Sequence, residues 1–267
     1  MHRSRLPLLA TAIAGIATLV LTLAPSASAA GARYVALGDS YSSGVGSGSY
    51  ISASGNCLRS TLAYSQLWAN SHAPSSYSSV ACSGATTTDV INNQVSALSG
   101  STTLVSISIG GNDVNFAGIM LDCVLYSTST CVNDLNSAEA VARTSLPGWL
   151  DAAYDSIRSH APSAKVVVLD YPRLYHNLWY CFGLSSTDRN KINEAADVLD
   201  GVIASAASRH GFAFGDVRAA FAGGHEICDG GSSWLHSVDL GDITESYHPT
   251  ASGQSGGYLP AFTAQAG

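Results

Sequence analysis

Ser40 stands in Gly38-Asp39-Ser40-Tyr41, directly after the apolar run Tyr34 to Leu37. Gly38 permits a sharp turn and Asp39 can hydrogen-bond the turn's backbone, so the hydroxyl is presented at the end of a strand. A serine hydroxyl is a weak nucleophile until a base takes its proton, and acyl transfer also needs donors aimed at the developing oxyanion. Two further turns can supply those donors. Cys82-Ser83-Gly84-Ala85-Thr86 and Gly110-Gly111-Asn112-Asp113 each follow a short apolar run. The backbone N–H groups of Ser40 and Gly84 and the side-chain amide of Asn112 are the expected oxyanion donors. Gly84 and Gly111 carry no Cβ to keep a substrate away.

The base must come from eight histidines. His2 lies in the leader, and His72, His160 and His210 fall at or near the ends of helical stretches. His176, His225 and His236 lie in loop-like stretches without a matching constellation. His248 differs, because Glu245-Ser246-Tyr247-His248-Pro249-Thr250 leads into a short closing helix. Gly253-Gln254-Ser255-Gly256-Gly257 also fits the G-x-S-x-G nucleophile elbow, but an elbow serine precedes its acid and its histidine. No histidine and no strand are in position around Ser255, so the segment reads as a Gly-rich part of the last helix. Asp229, His236, Asp239 and Asp242 lack metal-ligand spacing, and no metal or other cofactor is expected.

Five short runs read as strands: Tyr34 to Leu37, Ser79 to Ala81, Leu104 to Ile109, Lys165 to Leu169 and Phe212 to Phe214. Helical patterns cover Thr61 to Asn70, Thr88 to Leu98, Leu146 to His160 and Thr187 to His210. In the last, Ser185 and Asp188 form a capping-box variant and Gly211 stops the helix. This alternation predicts an α/β fold with a central parallel sheet, whose strand ends bind ligands along one edge. The Ser- and Gly-rich stretch from Ser42 to Gly55 is expected to be a mobile loop at that edge.

Arg3 and Arg5 precede an apolar run from Leu6 to Leu23 and the small residues Ala27-Ser28-Ala29, the order of a secretory signal peptide over residues 1–29. Residues 30–267 then read as one domain, with no linker-like stretch inside. The formal net charge of −7 argues against nucleic acid as a partner. Six cysteines in an exported chain favour disulfides. Fifteen connectivities are open in principle. Proximity suggests Cys57–Cys82, Cys123–Cys131 and Cys181–Cys228.

These blocks resemble the SGNH, or GDSL-type, hydrolases, and the secreted actinobacterial lipase and phospholipase branch in particular. The resemblance rests on residues 34–44, Cys82 to Ala85, Ile109 to Asp113 and Ser246 to Thr250, and it covers essentially the whole mature chain. It implies a three-layer α/β/α sandwich of flavodoxin-like type and sequentially paired disulfides. It implies Ser40 as nucleophile, His248 as base, and Gly84 and Asn112 completing the oxyanion hole. Most of the family carries Asp three residues before the histidine, where this chain has Glu245. Members resembling this branch orient the imidazole with a main-chain carbonyl, which here is that of Ser246; this is expected ahead of Glu245, with Asp242 a third candidate.

The implied activity is hydrolysis of carboxylic, fatty-acyl esters by a monomer that makes transient contact with lipid interfaces. Triglyceride, phospholipid and soluble ester all stay open. Phe116, Ile119, Met120 and Leu121 could equally line an acyl groove or fill the core. A carbohydrate or cell-wall O-deacetylase is the alternative enzyme, and a non-catalytic secreted binding module is a more distant one.

Overall fold

The structure, a computed structural model, describes residues 1–2 and 31–267. The expected signal peptide, apart from Met1 and His2, lies outside the described residues. Five strands form one all-parallel sheet: β1 (Arg33–Gly38), β2 (Ser76–Ser79), β3 (Leu104–Ser108), β4 (Lys165–Leu169) and β5 (Ala213–Gly215), in the order β2-β1-β3-β4-β5. β3 is buried throughout, and β1 and β4 are buried after their first residue. Burial of successive residues, which point to opposite faces, means that both faces are covered.

On one face, helices Tyr64–His72 and Leu259–Ala266 pack together. Tyr34 of β1 meets Trp68 and Phe262 there, each at a ring-centroid distance of 5.3 Å. The buried Tyr34 hydroxyl is paired with Ser106 Oγ at 2.6 Å, so the core does not strand a polar atom at that point. Helices Leu146–His160 and Ser186–Arg209 cover the other face with Leu150, Tyr154, Ile157, Leu199 and Ile203. Ser185 caps the second of these helices, with a capping box to Asp188. The architecture is the expected three-layer α/β/α sandwich.

Chain order reverses between β1 and β3. From β1 the chain moves outward to β2 and then crosses back to β3 on the other side, which opens a crevice beyond the C-terminal ends of β1 and β3. Asp39 N–H donates to Ser108 O (3.0 Å) and Cys82 N–H to Gly38 O (3.0 Å), so the turns after three strands are fastened to one another.

Several elements depart from the sequence reading. β2 is Ser76–Ser79, earlier than expected, because it is a half-exposed edge strand and the apolar Val80 and Ala81 come after it. Helices Phe116–Leu125 and Thr128–Thr144 were not expected. Residues 88–98 are not one regular helix: a single α-turn at Thr87–Asp89 gives way to a π-turn and then a 3₁₀-turn. The Ser42 to Gly55 stretch is not a loose loop at its start, since residues 42–47 are buried and Ser40–Ser43 is helical. The disulfides join Cys57 to Cys82, Cys123 to Cys131 and Cys181 to Cys228.

Candidate active site

β1 ends at Gly38, whose φ of 121° is open to glycine and whose missing Cβ would strike Ser108 O and Ser42 Oγ. Asp39 caps the Ser40–Ser43 turn, accepting from Tyr41 N–H at 3.0 Å. The same carboxylate accepts from Ser108 Oγ at 2.7 Å and from Tyr171 Oη at 2.5 Å. Burial pushes the Asp39 carboxyl up to about 6, against the lowering effect of those donors. Ser40 follows it directly, 7% exposed and open to a cavity.

His248 Nε2 lies 2.7 Å from Ser40 Oγ, and its Nδ1 lies 3.1 Å from the Ser246 carbonyl oxygen. A carbonyl can only accept, so the proton sits on Nδ1 and Nε2 is left to accept from the serine hydroxyl. Burial holds the imidazole down at about 4, with the charge of His236 acting in the same direction; the carbonyls of Ser246, Thr244 and Glu245 pull it upward. Tyr247, beside it, has the left-handed φ of 65°, costly for an aromatic residue. Two bonds hold that conformation: Tyr41 Oη donates to Tyr247 O (2.7 Å), and Tyr175 Oη donates to Tyr247 Oη (3.3 Å).

The Glu245 carboxylate is bonded to neither nitrogen of the imidazole: it accepts from Tyr50 Oη at 2.5 Å and lies 4.0 Å from His236 Nε2. It braces the segment around Gly46, whose carbonyl accepts from His236 Nε2 at 2.7 Å. Asp242 is exposed.

Gly84 has φ 79°, and no atom lies within 4 Å of where its Cβ would stand; the turn dihedral is what calls for glycine there. Asn112 Nδ2 donates to Ala85 O at 2.9 Å, which fixes the amide plane and leaves the second N–H available. Asp113 accepts from Thr87 N–H and Oγ, tying this turn to the one after β2. Ser40, Gly84, Asn112 and His248 all line the same cavity, of about 400 Å3.

That cavity runs between apolar walls. Phe116, Met120 and Leu121 line it on one side and Leu174 and Leu199 on another, while Ile119 is buried in the core and does not line it. The apolar residues after the third turn therefore divide between the two roles.

Tyr171 escaped the sequence reading. Its hydroxyl donates to Asp39 and accepts from Gly111 N–H at 3.2 Å, linking the Ser40 turn to the Asn112 turn. The signal was present, since Asp170-Tyr171-Pro172 directly follows β4 and so lies at a fourth strand end on the same edge. The loop polar residues are dispersed: Asp229 pairs with His176 (2.6 Å), His236 with Gly46, and Asp239 with Gly241 N–H (2.8 Å). Ser255 is exposed within a helical segment, next to the buried Gln254, which accepts from Tyr64 N–H and donates to Tyr41 O.

The model of the GDSL-like lipase/acylhydrolase family matches residues 36–255. The chain is 57% identical over 238 residues to Lipase 1 of Streptomyces coelicolor, covering 89% of this chain and 88% of that protein. It is 54% identical over 228 residues to a lipase of Streptomyces rimosus, covering 85% and 84%. Its fold is similar to the crystal structure of phospholipase A1 from Streptomyces albidoflavus, with a TM-score of 0.85 at 55% identity over 87% of this chain and 98% of that one. The crystal structure of the extracellular lipase from Streptomyces rimosus gives a TM-score of 0.84 at 52% identity, again over 87% and 98%.

Proposed function

The chain belongs to the GDSL-like lipase/acylhydrolase family and is a carboxylic ester hydrolase, and from that premise we propose that it is a secreted enzyme cleaving fatty-acyl esters of glycerolipids, phospholipids included, through an acyl-enzyme on Ser40. The observation that carries the assignment is the relay Ser40 Oγ, His248 Nε2, His248 Nδ1, Ser246 O, with contacts of 2.7 and 3.1 Å, opening onto an apolar cavity.

In the first step Ser40 Oγ attacks the ester carbonyl and its proton passes to His248 Nε2. The carbonyl oxygen becomes an oxyanion facing the N–H groups of Ser40 and Gly84 and the free N–H of Asn112. Nδ1 keeps its proton, bonded to the Ser246 carbonyl. That carbonyl, with those of Thr244 and Glu245 close by, favours the imidazolium while it exists. Collapse expels the alcohol, which takes the Nε2 proton. Water then attacks the acyl-serine with His248 again as base, releasing the fatty acid and restoring Ser40.

Every group in this scheme comes from one chain, which supports action as a monomer. The apolar lining favours a fatty-acyl chain over an acetylated glycan. The extracellular lipase of Streptomyces rimosus supports export, which would remove residues 1–29 and leave 30–267 as one domain. The test is a chain-length series of nitrophenyl esters run beside fatty-acid release from phosphatidylcholine. Turnover of medium and long acyl chains and release from phosphatidylcholine support the reading; activity restricted to acetyl esters overturns it.

A further inference from the structure

The chain leaves the cavity wall at Leu174 and enters a loop that runs to Ser185, ahead of helix Ser186–Arg209. No Asp, Glu, Lys or Arg occurs from Leu174 to Thr187. Within the loop Trp179 is 93% and Phe182 92% exposed, with Tyr180 half-exposed beside Trp179. Large aromatic side chains left in water forfeit the burial that normally stabilises them.

The loop holding them is fastened from beneath. Arg189, almost fully buried, donates to Asn177 Oδ1 (3.0 Å) and to the carbonyls of Leu178 (3.2 Å), Cys181 (2.8 Å) and Leu184 (2.5 Å), and the Cys181–Cys228 disulfide lies between the two aromatics. A buried guanidinium satisfied by loop carbonyls fixes the backbone in this one shape. The aromatics are thus held outward on a braced support.

Two hydrogen bonds tie the ends of the loop to neighbouring segments, one of which lines the cavity. Tyr175 Oη donates to Tyr247 Oη beside His248, and Ser185 Oγ lies 3.3 Å from Thr128 Oγ, just past the exposed Leu125 and Tyr126. On the His248 side, Leu240 and Ile243 are also exposed, and Ile243 lines the cavity itself. The exposed apolar surface thus includes one residue of the cavity lining, Ile243, and a loop tied to that lining through Tyr175 and Tyr247. Beside Leu240 and Ile243 the exposed charges Asp239 and Asp242 are negative, Arg173 at the start of the loop is paired with Asp197 at 2.7 Å, and the chain's net charge is −7. That sign disfavours an anionic surface.

We propose that Trp179 and Phe182 insert into the surface of a zwitterionic lipid layer, flanked by Tyr126, Leu240 and Ile243, and so seat the cavity mouth on the layer that holds the substrate. The proposal rests on the lipid-ester reading of the cavity. Trp, Tyr and Phe suit the headgroup region, where an apolar ring and a polar edge are both accommodated.

The experiment compares the wild-type mature protein with Trp179→Ser/Phe182→Ser. Sedimentation with phosphatidylcholine vesicles should show binding weakened at least tenfold, and fatty-acid release from the vesicles should fall at least tenfold at low lipid. The kcat/KM for a soluble nitrophenyl butyrate should stay within twofold. A separate Trp179→Phe variant should still bind but lose the blue shift in tryptophan emission that vesicles induce in the wild type. Equal vesicle binding by wild type and double variant overturns the proposal, as does a blue shift that survives in Trp179→Phe. Tighter binding to phosphatidylglycerol than to phosphatidylcholine overturns the choice of surface. A wild type inert toward the soluble ester would instead strike at the hydrolase reading, whatever the vesicles do.

Discussion

Glu245 gives its carboxylate to Tyr50, 2.5 Å from Oε1 to Oη, although it stands three residues before His248, the position at which the family resemblance implies the acid of a triad. The imidazole Nδ1 faces the Ser246 carbonyl instead. Glu245→Gln keeps an acceptor for Tyr50 and removes the charge. Its kcat should stay within about threefold of wild type, since the lost interaction is a brace between loops and not a partner of the imidazole. A collapse of several hundredfold in steady-state turnover would restore a carboxylate to the relay.

Tyr171 is a positioning residue. Tyr171→Phe leaves Gly111 N–H and one Asp39 oxygen without their partner, and an unsatisfied buried group typically costs ~1–3 kcal/mol. Denaturant unfolding should show a loss of that order. Because the two turns it links carry Ser40 and Asn112, kcat should fall about tenfold with KM little changed, a misalignment effect. Unchanged kcat together with lowered stability would reduce Tyr171 to a core residue.

How much of this was legible in the sequence depended on where the signal lay. Ser40, Gly84, Asn112 and His248 sit in turns whose residue types are dictated by chemistry and φ, and those turns could be read without a fold. Tyr171 has only its place just after the β4 run to mark it, since its partners Asp39 and Gly111 are brought to it by the sheet order, and nothing within a few residues of Leu199 announces its place on the cavity wall. Helix Thr128–Thr144 had a readable stripe in Cys131, Leu135, Ala138 and Ala142, but its small and polar remainder hid it. β2 was misplaced because an edge strand carries no apolar run. Glu245 was ambiguous because its partner, Tyr50, is almost two hundred residues away.

Asn112→Ala removes one of the proposed oxyanion donors. The substitution also takes the donor from the Ala85 carbonyl, but the main effect should be on the transition state, with kcat reduced about a hundredfold or more, as one such donor is typically worth ~3 kcal/mol. Steady-state kinetics on a soluble ester measures this directly. Full activity would remove Asn112 from the scheme.

The base must be neutral to accept the Ser40 proton, and burial places the His248 titration at about 4 instead of the ordinary 6.5. As pH falls, the free enzyme therefore keeps a neutral imidazole through the range in which an exposed histidine would already be charged. The acid limb of kcat/KM should have its midpoint below pH 5. The same shift has a stability sign: the unfolded chain binds the proton first, so the contribution of His248 is complete above 6.5 and is lost as pH falls toward 4. An acid limb between pH 6 and 7 would contradict this account of the site.

The whole scheme turns on Ser40 as the nucleophile. Incubation of the active enzyme with a long-chain alkyl phosphonate, followed by peptide mass spectrometry, tests it most directly. One phosphonyl group is expected on the peptide containing Gly38-Asp39-Ser40-Tyr41, with activity lost in proportion, and no label on Ser40→Ala. Inactivation with the label on Ser255 or another serine, or full labelling of the Ser40→Ala chain, would contradict it.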